Sequence, residues 1–505
     1  MKITKYSILI LVISVTLFSS CKDDFFNADP GDRVTSEQLK GLTDPAPFVN
    51  AMYSYMIQYN GLGLSSVSHN DFGYMSTVLA SELWGQDMVQ YGSKYGWFYP
   101  DYKYSNRGYQ LTDMLIHWTF FYKLIKTTND VLSAVPANTE NADLKAARGE
   151  AYGIRAFAYL NLVELYQFTY KGNEDKLAVP IITEATPSEQ VTNNPRVKVS
   201  EVYAQIIADL TKGYELTAGF VRTNNTIVDQ RVIAGFLART YLNMENWAQA
   251  AKYAAEAQVG FSVMDSKWLN EGFVSLTNPS WMWASDVNDQ SAIATSGIVN
   301  YTSHISSTAY GYSLAGAMYK NISSDLYAKI PATDIRKSWW LAANTKTVTV
   351  LGNVTLPKYA NLKFGYYDMD GNNFNDLCYM RVEEMILIEA EALGFTNLAA
   401  GKAKLEAFVK TRQPDFVSKA TSAAELQQEV WVQRRIELWG EGFAFNDLKR
   451  LKKASIRNYT GTNHKADALF DLQPTSNFFN LLIPRSEIQN NKGIGEADNN
   501  PIPVM

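Results

Sequence analysis

An all-α fold is the class this sequence predicts: helices that include an irregular tetratricopeptide-type pair, interrupted by a long loop-rich insertion. Three observations predict it. Apolar residues recur at three- and four-residue steps through most of residues 45–258. One stretch within that span, Val232 to Ala257, has the pattern of a tetratricopeptide helix pair. From 261 to 375 the helical period fades, and Ser, Asn, Thr, Gly and Tyr take over.

The elements follow in order. Phe48, Met52, Tyr55 and Met56 mark a first helical face. Thr112 to Leu132 repeats the period with Leu115, Trp118, Phe121, Tyr122 and Ile125. Ala142 to Tyr166 does so with Ala147, Ala151, Ile154, Ala158, Leu162 and Leu165. Pro180 then sits in an extended apolar stretch, and Ser200 is the expected N-cap of a helix over Glu201 to Thr217. In the repeat, Ala234, Ala238 and Tyr241 form a small-residue face, and Trp247, Ala250, Ala254 and Ala257 follow a turn at Glu245-Asn246. Small residues let two helices touch, and the aromatic fills the gap between pairs. The insertion is too rich in Trp and Tyr to be disordered. Helices return over Asp376 to Leu393, Ala399 to Thr411 and Ser422 to Trp439, within a second helical region at 376–450. The polar tail, 460–505, is expected to wrap the domain.

The N-terminus reads as an export leader. Lys2 and Lys5 precede a short apolar run from Ile8 to Phe18, too short to span a bilayer. Ser19-Ser20-Cys21 then places two small residues before a cysteine. Cleavage after residue 20 would leave Cys21 for lipidation, and several acyl chains anchor far better than one. Residues 21–505 are then one mature domain tethered outside a cell.

Bulk composition excludes several classes. The net charge of -5 argues against nucleic acid. Besides Cys21 the only cysteine is Cys378, so no internal disulfide is possible in the mature chain. Aromatics reach 13%, more than a core needs.

Four stretches together resemble one family. They are Cys21-Lys22-Asp23-Asp24-Phe25-Phe26 with Asp32 to Thr35; Gly149 to Phe157 running to Tyr166 and Pro180; Tyr379 to Glu384 through Leu393; and Arg434 to Leu438 with Gly442, Phe445, Asp447, Leu448 and Arg450, followed by Leu482 to Ile488. In this order they resemble the SusD/RagB family, surface glycan-binding lipoproteins of Bacteroidetes. Gln433 and Ala444 depart from the family's usual Glu and Arg. The resemblance implies an all-α, irregular tetratricopeptide-repeat superhelix of about four helix pairs with the long loop-rich insertions packed on one side, and an outer-membrane location facing outward. It also implies a partner, a SusC-like TonB-dependent outer-membrane transporter that the lipoprotein caps, delivering oligosaccharide without chemistry. Peptide import by the same family and a purely structural scaffold are the alternatives.

Catalytic signatures are absent from the sequence. The four histidines form no metal pair, no G-x-S-x-G occurs, and no cofactor is expected. Gly394 to Lys402 has the wrong spacing for a phosphate loop and reads as a helix–helix connection. Arg381, Glu384 and Glu391, with Arg435 and Glu437, read as buried ion pairs between helices, not as a glycosidase's carboxylates. Asp368 to Asp376 resembles a calcium loop but lacks its closing Glu; a turn with Asn375 or Asp376 capping a helix is expected instead.

Binding rests on aromatics. Sugars present apolar C–H faces and a rim of hydroxyls, so flat rings beside polar groups suit them. Tyr95 to Tyr104 places six aromatic residues in a Gly- and Pro-containing loop. Trp97, Tyr99 and Tyr102 are the candidates there; Trp283, Tyr301, Tyr310 and Tyr312 are the candidates in the insertion.

Overall fold

A computed structural model describes residues 45–348, 353–365 and 375–504. The leader, Cys21 and the resembled calcium loop up to residue 374 lie outside the described residues. Among those described, no helix is long and apolar enough to cross a membrane.

The N-terminal half is helical: α1 (Ala46–Met56), α2 (Tyr74–Trp84), α3 (Thr112–Ala134), α4 (Ala142–Tyr166), α5 (Val199–Leu216), α6 (Gln230–Asn243) and α7 (Trp247–Ala257). After the insertion come α8 (Val382–Thr396), α9 (Leu398–Val409), α10 (Ala423–Glu437) and α11 (Ala444–Arg450). Each helix from α3 to α9 packs on the next, and α8 also packs on α10. The result is a superhelix of tetratricopeptide-like hairpins.

Local chemistry sets the ends. Asn141 and Asp229 cap α4 and α6 by accepting from two backbone N–H groups each. Helix α5 starts two residues earlier than expected and is not capped by Ser200: the Glu201 carboxylate reaches back to the Lys198 N–H at 2.9 Å. Close approach depends on glycine. A Cβ on Gly149 of α4 would come within 2.6 Å of Thr217 and 3.1 Å of the Gly213 carbonyl, and one on Gly401 within 2.6 Å of the Gly394 backbone. The Gly394–Lys402 segment is therefore a tight α8–α9 junction.

One expected helix divides in two. Leu377–Arg381 is a strand, here β4, paired antiparallel with β2 (Trp281–Ser285); α8 begins only at Val382. Asp376 caps no helix. Its carboxylate accepts from Leu276 N at 2.8 Å and Val287 N at 3.0 Å, tying insertion loops to β4. A second ribbon pairs β1 (Met88–Gln90) with β3 (Lys320–Ile322) and joins the insertion to the end of α2.

Buried ion pairs lock the two halves together. Glu437 accepts from Arg336 and Arg381 at 3.0 and 2.9 Å, with Arg412 at 3.3 Å. Burial alone raises a carboxyl's pKa, but these three guanidinium groups hold Glu437 well below the usual range. Glu384 pairs with Arg239 at 2.6 Å, Glu391 with Arg450 at 2.6 Å, and Arg435 with Asp87 at 2.5 Å. Arg381 belongs to β4 and not to the following helix. Each of these carboxylates faces an arginine in the interior, where no sugar fits between them.

Candidate functional site

The ring-rich segment after β1 sorts into two populations. Gln90, fully buried, donates its side-chain amide to the Gly92 and Trp97 carbonyls at 3.2 and 3.1 Å and so closes the loop. Gly96 turns it with φ +76°, and Phe98 follows with φ +61°, a conformation that costs a bulky residue about 1–2 kcal/mol. Packing holds Phe98 there: its ring lies 5.7 Å from Phe72 and 5.0 Å from His304. With Phe98 turned inward, Trp97 and Tyr95 are left at the surface. Tyr95 is 47% exposed, and Trp97 is half-buried.

His69 and Tyr312 support these two rings. The His69 imidazole stacks on Trp97 at 4.9 Å with 15° between planes, and it hydrogen-bonds the Tyr312 hydroxyl through Nδ1. Tyr312 meets Tyr95 edge-on at 5.6 Å and stacks on His304 at 4.4 Å. His304 Nε2 donates to the His69 carbonyl at 3.0 Å. Burial keeps both imidazoles below their ordinary pKa, His304 strongly so, with the Lys320 ammonium adding to the effect. At neutral pH the two are uncharged. Tyr310, 44% exposed, is two residues from Tyr312. Trp97 and Tyr95 thus lie at the surface beside one buried Tyr312–His304 stack, and π-faces of this kind suit the C–H face of a pyranose.

The remaining candidates fall elsewhere. Tyr102 is buried, its hydroxyl 2.9 Å from His464 Nδ1, so it belongs to the core. Trp283 is fully buried, edge-on to Phe157, Phe236 and Tyr379 at 4.9–5.5 Å, where β2 meets α4, α6 and β4. Tyr301 is buried and donates to the Gly440 carbonyl at 2.6 Å. None of these three rings can stack on a ligand. Tyr312 is also buried and acts as the support beneath Tyr95. Tyr99 is half-buried, its hydroxyl donating to Asp467 at 2.9 Å at the rim of the same loop. Sequence reasoning missed Tyr95 and His69. Tyr95 stood inside the dense aromatic loop; nothing local in sequence marks His69.

A separate open groove of about 1070 Å³ lies along α1, the start of α4 and residues 285–292. Its lining is mainly Asn, Gln, Ser, Thr and Asp. Tyr53 at its floor donates to Glu150 at 2.5 Å, and burial raises the Glu150 carboxyl to about 7.

Known proteins agree with this architecture. A family described as "Starch-binding associating with outer membrane" matches residues 78–242, and the SusD family matches residues 286–501. A SusD-like protein P2 of Formosa agariphila is 25% identical over 435 residues, covering 76% of this chain and 79% of that one. A SusD-like carbohydrate binding protein from Bacteroides vulgatus is 26% identical with a TM-score of 0.77, covering 92% of this chain and 98% of its own. A laminarin binding SusD-like protein shares the fold at 18% identity and a TM-score of 0.68, over 92% of this chain and 99% of that one. With both matches in chain order over most of the sequence, the chain belongs to the SusD/RagB family of carbohydrate-binding proteins.

Proposed function

We propose that this chain is a lipid-anchored protein on the outer face of the outer membrane. It binds oligo- or polysaccharide and hands it to a SusC-like TonB-dependent transporter, without catalysing a reaction. The observation that carries the binding step is the surface of Trp97, held on His69, and Tyr95, held on Tyr312 with His304 behind it, with the exposed Tyr310 two residues from Tyr312. Trp97 and Tyr95 are fixed before ligand arrives, so little ordering is needed on binding. Family membership supports the location and the transporter. The non-catalytic reading draws on Glu384, Glu391 and Glu437, each held by arginine. The aromatic face favours glycan over peptide, which would be better served by backbone-pairing edges and charges.

The test is affinity electrophoresis and calorimetry against a panel of soluble polysaccharides, laminarin included, with wild type and Trp97→Ala. Losing this ring is expected to weaken binding at least tenfold, about 1.4 kcal/mol, with little change in melting temperature. Absence of binding to every glycan, with clear binding to peptides, would replace glycan by peptide. Recovery of a TonB-dependent transporter with the protein from solubilised membranes is expected.

A further inference from the structure

We propose that the aromatic face takes an anionic glycan, one bearing carboxylate or sulfate ester groups along its chain. The inference rests on the glycan-binding reading above and adds the charge of the ligand. The face extends beyond Tyr95. Tyr91 N donates to the Tyr319 carbonyl at 2.9 Å, and the two rings lie 5.9 Å apart, tilted. Tyr91 is 41% exposed. The segment 316–319 runs beside 91–95: a Cβ on Gly92 would meet the Ala317 carbonyl at 2.3 Å, and one on Gly316 the Tyr95 ring at 2.9 Å. Tyr91–Tyr319 and Tyr95–Tyr312 are therefore neighbouring ring pairs on one surface.

Each exposed ring of these pairs has an ammonium beside it. Lys465 reaches in from the C-terminal tail and places Nζ 4.5 Å from the Tyr91 centroid. Lys94 places Nζ 5.3 Å from the Tyr95 centroid. Among the described residues, neither has a carboxylate at ion-pair distance, whereas Lys103 at the rim is paired with Asp467 at 3.3 Å. The sequence agrees. Residues 61–70, 91–100 and 291–323, which build this face, contain no Asp or Glu, in a chain whose net charge is -5. A neutral sugar is well served by carboxylates, which accept from its hydroxyls. The loops that carry the rings lack them, Asp467 at the rim is already engaged by Tyr99 and Lys103, and the unpaired ammonium groups at the ring edges suit a pyranose whose apolar face lies on tyrosine and whose anionic substituent meets lysine.

The probes are polygalacturonate for carboxylate, a carrageenan for sulfate ester, and fully methyl-esterified pectin and laminarin as neutral polymers. Wild type is expected to bind at least one anionic polymer at least tenfold more tightly than either neutral one. That preference should shrink as salt rises from 50 to 500 mM, because exposed charges are screened. The double variant Lys94→Gln, Lys465→Gln should lower the ratio of anionic to neutral affinity at least tenfold, with a melting temperature close to wild type. The polymer preferred decides between carboxylate and sulfate. A wild type that prefers neutral glycans, a ratio unmoved by the double variant, or a preference for polyglutamate over both anionic glycans would each overturn the proposal. Neutral binding that is lost in Trp97→Ala would leave the glycan reading standing and remove only the charge. No glycan binding at all would remove both.

Discussion

Trp97 and Phe98 are neighbours in sequence and opposite in environment, and the backbone between them makes the difference. The left-handed φ at Phe98 turns one ring into the core and leaves the other at the surface. Phe98→Gly would relieve the φ but remove a buried ring; we expect a net destabilisation of about 3 kcal/mol or more, read by urea unfolding. Beneath the site, Lys320 is fully buried, and its Nζ donates to the His304 and Met318 carbonyls at 3.2 and 3.0 Å. Burial lowers its pKa to about 7. The sign follows from proton linkage: between pH 7 and about 10 the unfolded chain holds a proton at this lysine that the folded chain has released, so stability rises with pH there. Thermal unfolding of Lys320→Met should show a smaller gain in melting temperature from pH 7 to pH 9 than wild type. An equal gain would show that Lys320 stays charged in the fold.

At the scale of elements, periodicity made the helices legible and left their partners hidden. The α6–α7 hairpin could be read directly because its small residues occur at helical steps. Strand β4 could not, because Leu377 to Arg381 is a short apolar run that continues into α8, and only pairing with β2 makes it extended. The same limit governed the site. Aromatic density marked the loop at 95–104, but Tyr102 is buried by His464, 362 residues away, and Trp283 by helices α4 and α6. Trp283→Ala should therefore cost about 3–5 kcal/mol of stability while glycan affinity of the folded fraction is retained. The interior ion pairs were legible as pairs, though not their partners: Glu437 meets Arg336 and Arg381, both outside α10. Removing one member leaves buried charge uncompensated, so Glu437→Gln is expected to destabilise by about 3–5 kcal/mol in denaturant titration. A change below 1 kcal/mol would show that the cluster rearranges around the loss.

For the whole molecule, the superhelix presents the insertion, and the insertion with the 91–98 loop presents the rings. The tail completes the face, since Lys465 and Asp467 both reach it from beyond residue 460. The measurement that tests this arrangement most directly is hydrogen exchange with and without saturating glycan, using the tightest binder of the polysaccharide panel. Slowed exchange is predicted at residues 91–98 and 310–319, with His69 and its neighbours, and no change along α1 and residues 285–292. Protection confined to α1 and residues 285–292 would place the ligand in the separate groove there and contradict the account.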